Sequence, residues 1–249
     1  MPASGSICVW AAKLFSGHCR LIAVCSVLTA PTRARQSKMA SHAASDAFMK
    51  FSDTLNTRLR RVPAWPLYIV AVLPPVWFLY QGMTGGLGVE PIKALEHKLG
   101  ELGLQALIAG LMITPLRRFT GISLLKFRRA IGVSAFFYIL LHLSVWLFLD
   151  VQIWSQIWAD ILKRPYITIG MLGFALLIPL ALTSNNWSLR RMGAKGWRRL
   201  HRAVYAAILL GGVHYLMLVK GWQAAPMAYL AAIIVLLALR IRIQTAKSA

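Results

Sequence analysis

Long apolar stretches separated by short polar segments dominate the chain. Six of them predict helices at about residues 65–83, 99–115, 128–149, 166–184, 197–219 and 225–242. A helix needs about 20 apolar residues to cross the hydrocarbon core of a bilayer, and these stretches approach that length. The ten-residue alternating segments of a membrane barrel do not occur in the sequence. The pattern therefore predicts an all-α, polytopic membrane protein, a bundle of six transmembrane helices.

Composition supports the same class. The 249 residues are 58% hydrophobic and only 14% charged, which leaves too little polar surface for a soluble protein of this size. The net charge of +21 does not indicate nucleic-acid binding, because the basic residues lie between the apolar stretches. The cysteines, Cys8, Cys19 and Cys25, all precede Met39. An iron–sulfur centre held by the body of the chain is therefore excluded.

Lysine and arginine concentrate in alternate loops, and this asymmetry predicts the orientation because cytoplasmic loops carry the excess of positive charge. The basic positions are the segment before the first helix, the loops after the second and fourth, and the chain after the sixth. Both termini are therefore predicted to be cytoplasmic. Four tryptophans fit an interfacial belt near the opposite face: Trp146, Trp154, Trp158 and Trp222.

The first 48 residues form an extension whose status is uncertain, while residues 49–249 form the six-helix domain. The extension carries a modest apolar run at 21–28 and no acidic residue before Asp46. It is either a poor signal sequence or anchor, or a segment that precedes a true start at Met39 or Met49. We favour the later start as a hypothesis, which the intact mass of the native protein tests.

Three histidines lie within the apolar stretches: His142, His201 and His214. An ionisable side chain in hydrocarbon costs roughly 2.5–3.5 kcal/mol on insertion scales, so its presence indicates a function. Neutral imidazole is well suited to bind the iron of a porphyrin. The third and fifth helices run in the same direction, which puts His142 and His214 roughly 21 and 24 Å from their basic ends. At nearly the same level, these two are predicted to bind haem iron from opposite faces.

His201 is predicted to lie apart from this pair. It precedes His214 by 13 residues, which is roughly 20 Å along an ideal helix and about 140° around it. Near the cytoplasmic face, it either binds a second haem or contacts water and headgroups. For every one of these histidines, a hydrogen bond to a neighbouring helix is the alternative that needs no cofactor.

Several short motifs within residues 50–242 resemble one family. They are the sequences at 114–118, 128–132, 136–138, 141–142, 182–184, 197–202 and 214–215. Together they are similar to the haem-binding membrane subunit of bacterial methionine sulfoxide reductase systems, the MsrQ (YedZ) family. That family belongs to the ferric reductase type of transmembrane domain.

The resemblance implies a protein of the bacterial inner membrane that carries haem b and a flavin, FMN. It implies electrons received from the quinone pool or from a cytoplasmic flavin reductase. It further implies their transfer to a periplasmic, molybdopterin-containing subunit that reduces methionine sulfoxide in proteins, so that this chain is not the catalytic subunit. No phosphate-binding glycine loop locates the flavin, and the glycine-rich segment 82–88 is predicted to be a flexible outer loop.

One position departs from the wider pattern, in which members with two haems carry two histidines on each of these helices. Arg128 stands 14 residues before His142, where the second histidine would be expected. Arginine stays protonated and is a poor iron ligand. Arg128 either pairs with a haem propionate, a flavin phosphate or a lipid phosphate, or it only sets the topology of its loop.

Two other classes of function compete with electron transfer. A small transporter or proton-path protein would use the buried histidines along its route. A membrane scaffold would use them only to join helices. Both alternatives predict a colourless purified protein, whereas a haem protein absorbs visible light.

Overall fold

The computed structural model describes residues 33–219 and 223–248. The chain divides into two units, Met1–Phe51 and Ser52–Ala249. Most of the predicted extension lies outside the described residues, as do the three cysteines and Trp222. Helix α1, Arg33–Arg61, begins in the first unit and ends in the second.

All regular structure in the described ranges is helical, so the predicted all-α class is confirmed. A 3₁₀ turn, Leu125–Phe127, precedes the fourth helix, and a π-helical segment, Trp146–Val151, follows it. The further helices are α2, Trp65–Met83; α3, Pro91–Thr120; α4, Arg128–Val145; α5, Trp154–Lys163; α6, Pro165–Leu182; α7, Asn186–Leu200; α8, Ala203–Leu218; and α9, Ala224–Ser248.

Local signals set where these helices begin and end. Pro91 opens α3, where its missing N–H costs no intrahelical hydrogen bond. Gly121 ends the same helix with φ of +71°, and its amide donates to the carbonyl of Arg117 at 3.1 Å. Helix α3 is therefore longer than the predicted 99–115, because its polar first turns belong to the helix. Asn185 caps α7 by accepting from the amide of Ser188 at 2.7 Å.

Helix α2 continues through Pro74 and Pro75. Proline has no amide hydrogen, so Pro75 leaves the carbonyl of Ala71, four residues earlier, without its helical donor. The hydroxyl of Tyr138 on α4 donates to that carbonyl at 2.7 Å. A side chain of a neighbouring helix thus satisfies a backbone group for which lipid offers no partner.

The bundle is organised around two closely packed helix pairs, α3 with α4 and α6 with α8, while α9 lies against α3 and α8. Their buried leucine, isoleucine and alanine side chains form the main core, made of Leu104, Leu107, Leu111, Ala135, Leu177, Leu180, Ala207, Ile208 and Ile233. Helix α2 exposes most of its apolar side chains, as expected for a surface that faces lipid.

Within residues 33–219 and 223–248, four helical segments are long and apolar enough to cross a membrane: Trp65–Met83, Pro91–Thr120, Leu125–Val151 and Pro165–Leu182. Two shorter apolar helices, Ala203–Leu218 and Ala224–Arg240, correspond to the predicted fifth and sixth spans. Length and composition therefore support four of the six predicted spans.

The predicted continuous helix at 197–219 is wrong. The chain turns at His201 and Arg202, between α7 and α8. The indole N–H of Trp197 donates to the carbonyl of Thr183 at 2.9 Å, which ties the last turn of α7 to the end of α6. His201 and His214 therefore do not lie on one continuous helix. The rotation of about 140° between them, calculated for an ideal helix, does not apply.

A second correction concerns the tryptophan belt. Trp146 is buried and packs with Ile157 and Ile167, so it belongs to the protein interior. Trp154 and Trp158 on α5 are exposed. The amphipathic helix α5 was not predicted, because its ten residues are too few to produce a clear apolar stretch.

We expect Tyr138→Phe to lower the thermal stability of the purified protein, because it leaves the carbonyl of Ala71 unsatisfied beside Pro75. The expected loss is about 1 kcal/mol in the free energy of unfolding. Tyr80→Phe is the matched control, since its ring on α2 is exposed. Equal melting temperatures for the two variants would contradict the role given to the Tyr138 hydroxyl.

Candidate functional site

Two cavities lie within the bundle. The first, here called the histidine cavity, has a volume of about 310 Å³ and is lined by residues of α3, α4, α6 and α8 that include His142 and His214. The second, the arginine cavity, has a volume of about 1080 Å³ and includes Arg128 and His201 in its lining. Since α4 and α8 each begin at the arginine cavity and reach the histidine cavity, they run in the same direction.

His142 on α4 and His214 on α8 face each other across the histidine cavity. Their ring centroids are 6.3 Å apart, and the ring planes make an angle of 74°. Imidazole nitrogens bind metals such as zinc at about 2.0–2.1 Å, and a ring centre lies about 1 Å behind its nitrogen, so two axial imidazoles on one metal have centroids roughly 6 Å apart. The observed separation fits a pair of axial ligands.

Each imidazole is oriented by a backbone carbonyl of the adjacent helix. Nδ1 of His142 is 2.9 Å from the carbonyl oxygen of Glu96 on α3, and Nδ1 of His214 is 2.7 Å from that of Tyr166 on α6. A carbonyl only accepts, so Nδ1 carries the proton in both rings. Nε2 then has a free lone pair, which is the tautomer that a metal ligand requires.

A glycine makes room for each ring. Gly100 follows Glu96 by four residues, and Gly170 follows Tyr166 by four. A Cβ atom added at Gly100 would lie 3.0 Å from Nδ1 of His142, and one added at Gly170 would lie 2.8 Å from Nδ1 of His214. The two helix pairs thus use the same arrangement of a carbonyl, a glycine and an imidazole.

Sequence reasoning did not find these four orienting residues. The glycines were visible as isolated glycines within apolar helices, which indicate a close approach of another chain segment. The sequence does not tell which side chain approaches them. The carbonyl acceptors carry no sequence signal, because every residue has one. His97 precedes the predicted second span at 99–115, but the structure places it in α3, where it lines the histidine cavity.

His201 lies in the arginine cavity, away from the other two histidines. Its Nδ1 is 3.1 Å from the carbonyl oxygen of Trp197, its Nε2 is 3.4 Å from Oγ of Ser184, and its ring stacks on the indole of Trp197 with centroids 3.7 Å apart. Burial lowers the pKa of His201, and the charges of Arg128 and Arg129 lower it further, against the opposing hydrogen bond to Trp197. His201 is the single histidine in the lining of this cavity.

The two cavities are adjacent. Leu107 and Leu177 line both of them. Phe136 of the arginine cavity stacks on Phe174 of the histidine cavity, with ring centroids 5.6 Å apart and planes inclined by only 5°. Packed apolar side chains therefore lie between the histidine cavity and the arginine cavity.

Comparison with known proteins defines the class to which this bundle belongs. Residues 99–212 match the family model described as ferric reductase like transmembrane component. This range includes all of α4 with His142 and all of α6, and it ends two residues before His214. The chain therefore carries a ferric-reductase-like transmembrane domain.

Curated relatives identify the family more closely. Proteins of Brucella ovis, Brucella canis and Brucella suis, each named protein-methionine-sulfoxide reductase heme-binding subunit MsrQ, are 47% identical to this chain over 192 residues. Each match covers 74% of this chain and 87% of the relative. The chain belongs to the MsrQ family. No solved structure matches it significantly.

We expect Gly170→Ala to destabilise the protein, because the new methyl group would press on the His214 ring. The expected cost is about 1–3 kcal/mol, the usual cost of overpacking. Gly132→Ala is the control, since an added Cβ there meets nothing within 4 Å. That change should be neutral or stabilise by up to about 1 kcal/mol, because alanine favours helix. Melting temperatures that change in the same direction would contradict the steric role of Gly170.

Proposed function

We propose that this chain is the haem b-binding electron-transfer subunit of a protein-methionine-sulfoxide reductase system. The observation that carries the proposal is the pair of facing imidazoles, 6.3 Å apart, with both Nδ1 atoms held by backbone carbonyls. The names of the relatives support the same cofactor, because each is called a heme-binding subunit.

The residues of the histidine cavity have separate tasks in this proposal. His142 and His214 would hold the haem iron, and the carbonyls of Glu96 and Tyr166 would fix their tautomer and raise their basicity. Bound haem b supplies one-electron iron redox chemistry. Leucine and aromatic side chains line the cavity beside charged residues such as Glu96, Asp150 and Arg164.

The distribution of charge supports a direction for electron transfer. With both termini in the cytoplasm and six spans, the arginine cavity lies toward the cytoplasm and the histidine cavity toward the periplasm of a bacterial inner membrane. Electrons would enter at the arginine cavity and leave beyond the histidine cavity. The stacked pair Phe136 and Phe174 lies on the short route between them.

The partners follow from the family. The donor is the quinone pool or a cytoplasmic flavin reductase, and FMN is the flavin that the family resemblance implies. Arg128, exposed at the arginine cavity, is suited to pair with a propionate, a flavin phosphate or a lipid phosphate. The acceptor is a periplasmic molybdopterin-containing subunit that reduces methionine sulfoxide, so this chain does not carry out that reduction itself.

We expect His142→Ala and His214→Ala each to abolish the low-spin haem absorption in a reduced-minus-oxidised spectrum, because each change removes one axial ligand. His97→Ala is the matched control, since this histidine is exposed at the mouth of the same cavity. It should retain the spectrum. Normal haem content in both ligand variants would refute the assignment, and a colourless wild-type protein would instead favour a transporter or a scaffold.

The difference spectrum, together with the ratio of haem to protein, tests whether His201 binds a second haem. We expect His201→Ala to keep the low-spin spectrum of the haem in the histidine cavity, because His201 lies in the other cavity. A second haem on His201 would have only one histidine ligand in the described part of the chain. The ratio of haem to protein decides the point: a fall by half in this variant would assign a second haem to His201, and an unchanged ratio would exclude it.

A further inference from the structure

Glu101 is an acidic residue deep within a helix that is long enough to cross a membrane. It lies ten residues after Pro91, the first residue of this helix, which is roughly 15 Å along the helix axis. No other acidic residue in the four described segments of this length lies as far from a helix end. Its side chain is half-buried and lines the histidine cavity. An ionisable group at such a depth is costly, and its presence indicates a function.

Two side chains hold the carboxylate of Glu101 in place. The hydroxyl of Tyr229 on α9 donates to its Oε1 at 2.8 Å, and Nε2 of Gln105 approaches the same oxygen at 3.4 Å. Nε2 of Gln105 also donates to the Tyr229 hydroxyl at 2.7 Å. The Tyr229 ring packs on that of Tyr215 on α8, with ring centroids 5.8 Å apart. Glu101 is therefore fixed both from its own helix and from α9.

These hydrogen bonds are those of an ionised carboxylate. An ionised carboxylate only accepts hydrogen bonds, and both contacts at Oε1 of Glu101 come from donors. The ion pairs found in the described part of the chain do not include Glu101. Glu101 thus contributes a negative charge to the wall of the histidine cavity, and no basic side chain pairs with it there.

The charge belongs to the same part of α3 that orients His142. Gly100, the residue before Glu101, makes room for the His142 ring, and the carbonyl of Glu96 contacts Nδ1 of that ring. Glu101, His142 and His214 all line one cavity. A charge acts more strongly within a protein than in bulk water, because the surroundings are less polarisable. A cofactor held between the two histidines would therefore be exposed to the field of Glu101.

We propose that Glu101 is a fixed negative charge that favours ferric over ferrous haem in the histidine cavity, and that Tyr229 positions its carboxylate. Reduction adds one electron to the iron, so a nearby negative charge makes reduction less favourable and lowers the reduction potential. A lower potential makes the reduced haem a stronger electron donor to its acceptor. The inference rests on the proposed function, because it concerns the haem that His142 and His214 would hold.

Glu101→Gln separates the charge from the hydrogen bond. Glutamine has the same shape as glutamate, and its amide oxygen still accepts from Tyr229. A redox titration of the purified full-length protein, followed by the low-spin haem absorption, measures the reduction potential. We expect the equilibrium constant for haem reduction to rise about tenfold, which is a potential about 59 mV more positive for a one-electron couple.

Glu90→Gln is the matched control. Glu90 precedes the first residue of the same helix, but its side chain is 65% exposed, pairs with Lys93 and lies outside the lining of the histidine cavity. We expect its removal to change the equilibrium constant less than about twofold, because water screens an exposed charge. A change below about twofold in Glu101→Gln, a lower potential in that variant, or an equal change in Glu90→Gln would overturn the assignment.

Tyr229→Phe tests the positioning of the carboxylate. It keeps the aromatic ring and the charge of Glu101 but removes the hydroxyl that holds Oε1. We expect a potential between those of the wild type and Glu101→Gln, because the released carboxylate turns toward more polar surroundings. A potential equal to that of the wild type would contradict the role of Tyr229. A contact that only joins α3 to α9 would lower the melting temperature of Tyr229→Phe and leave the potential of Glu101→Gln unchanged.

Two further outcomes are distinct. Should Glu101→Gln not be recovered, Glu101→Met replaces it, with the same expected direction, and an unchanged potential would again overturn the assignment. A coloured protein whose potential does not respond to Glu101 would overturn this inference alone. A colourless wild-type protein would overturn the proposed function, and this inference with it.

Discussion

Each of the two facing imidazoles depends on a hydrogen bond from Nδ1 to a carbonyl of the neighbouring helix. This contact forms only because Gly100 and Gly170 lack a side chain where His142 and His214 approach. The close packing of α3 on α4 and of α6 on α8, the neutral tautomer and the free lone pair on Nε2 all accompany it. Two helix pairs with the same arrangement thus hold two imidazoles beside each other.

The low polarity of the interior imposes a second constraint, that every buried polar group needs a partner. Within the bundle, Tyr138 supplies a donor to the carbonyl that Pro75 leaves free, and Trp197 supplies one to the end of α6. Arg240 on α9 donates to the hydroxyls of Tyr205 on α8 and Thr114 on α3, and so links three helices. The same physical rule therefore accounts for these contacts between helices.

Much of the fold could be predicted from the apolar stretches, because bilayer thickness fixes their length. The pairing of His142 with His214 followed from their similar distances to basic helix ends, and the structure brings them together. The break at His201 could not be predicted, since it depends on a hydrogen bond from Trp197 to a distant carbonyl. The carbonyls that orient the ligands were equally invisible, because a backbone acceptor is present at every position. The sequence indicated the two histidines, whereas the carbonyls and glycines that position their rings became visible only in the three-dimensional contacts.

The shortness of α8 has a consequence for the membrane around the protein. Its 16 residues rise about 24 Å, less than the roughly 30 Å of a typical hydrocarbon core. As the predicted fifth span, so short a helix would be accommodated by local thinning of the bilayer or by polar side chains that reach toward the headgroups. Electron tunnelling weakens steeply with distance, so a bilayer that is thinner beside His214 brings the aqueous surface nearer to the redox centre proposed there. Hydrophobic mismatch would then influence the rate of electron transfer as well as the placement of the helix.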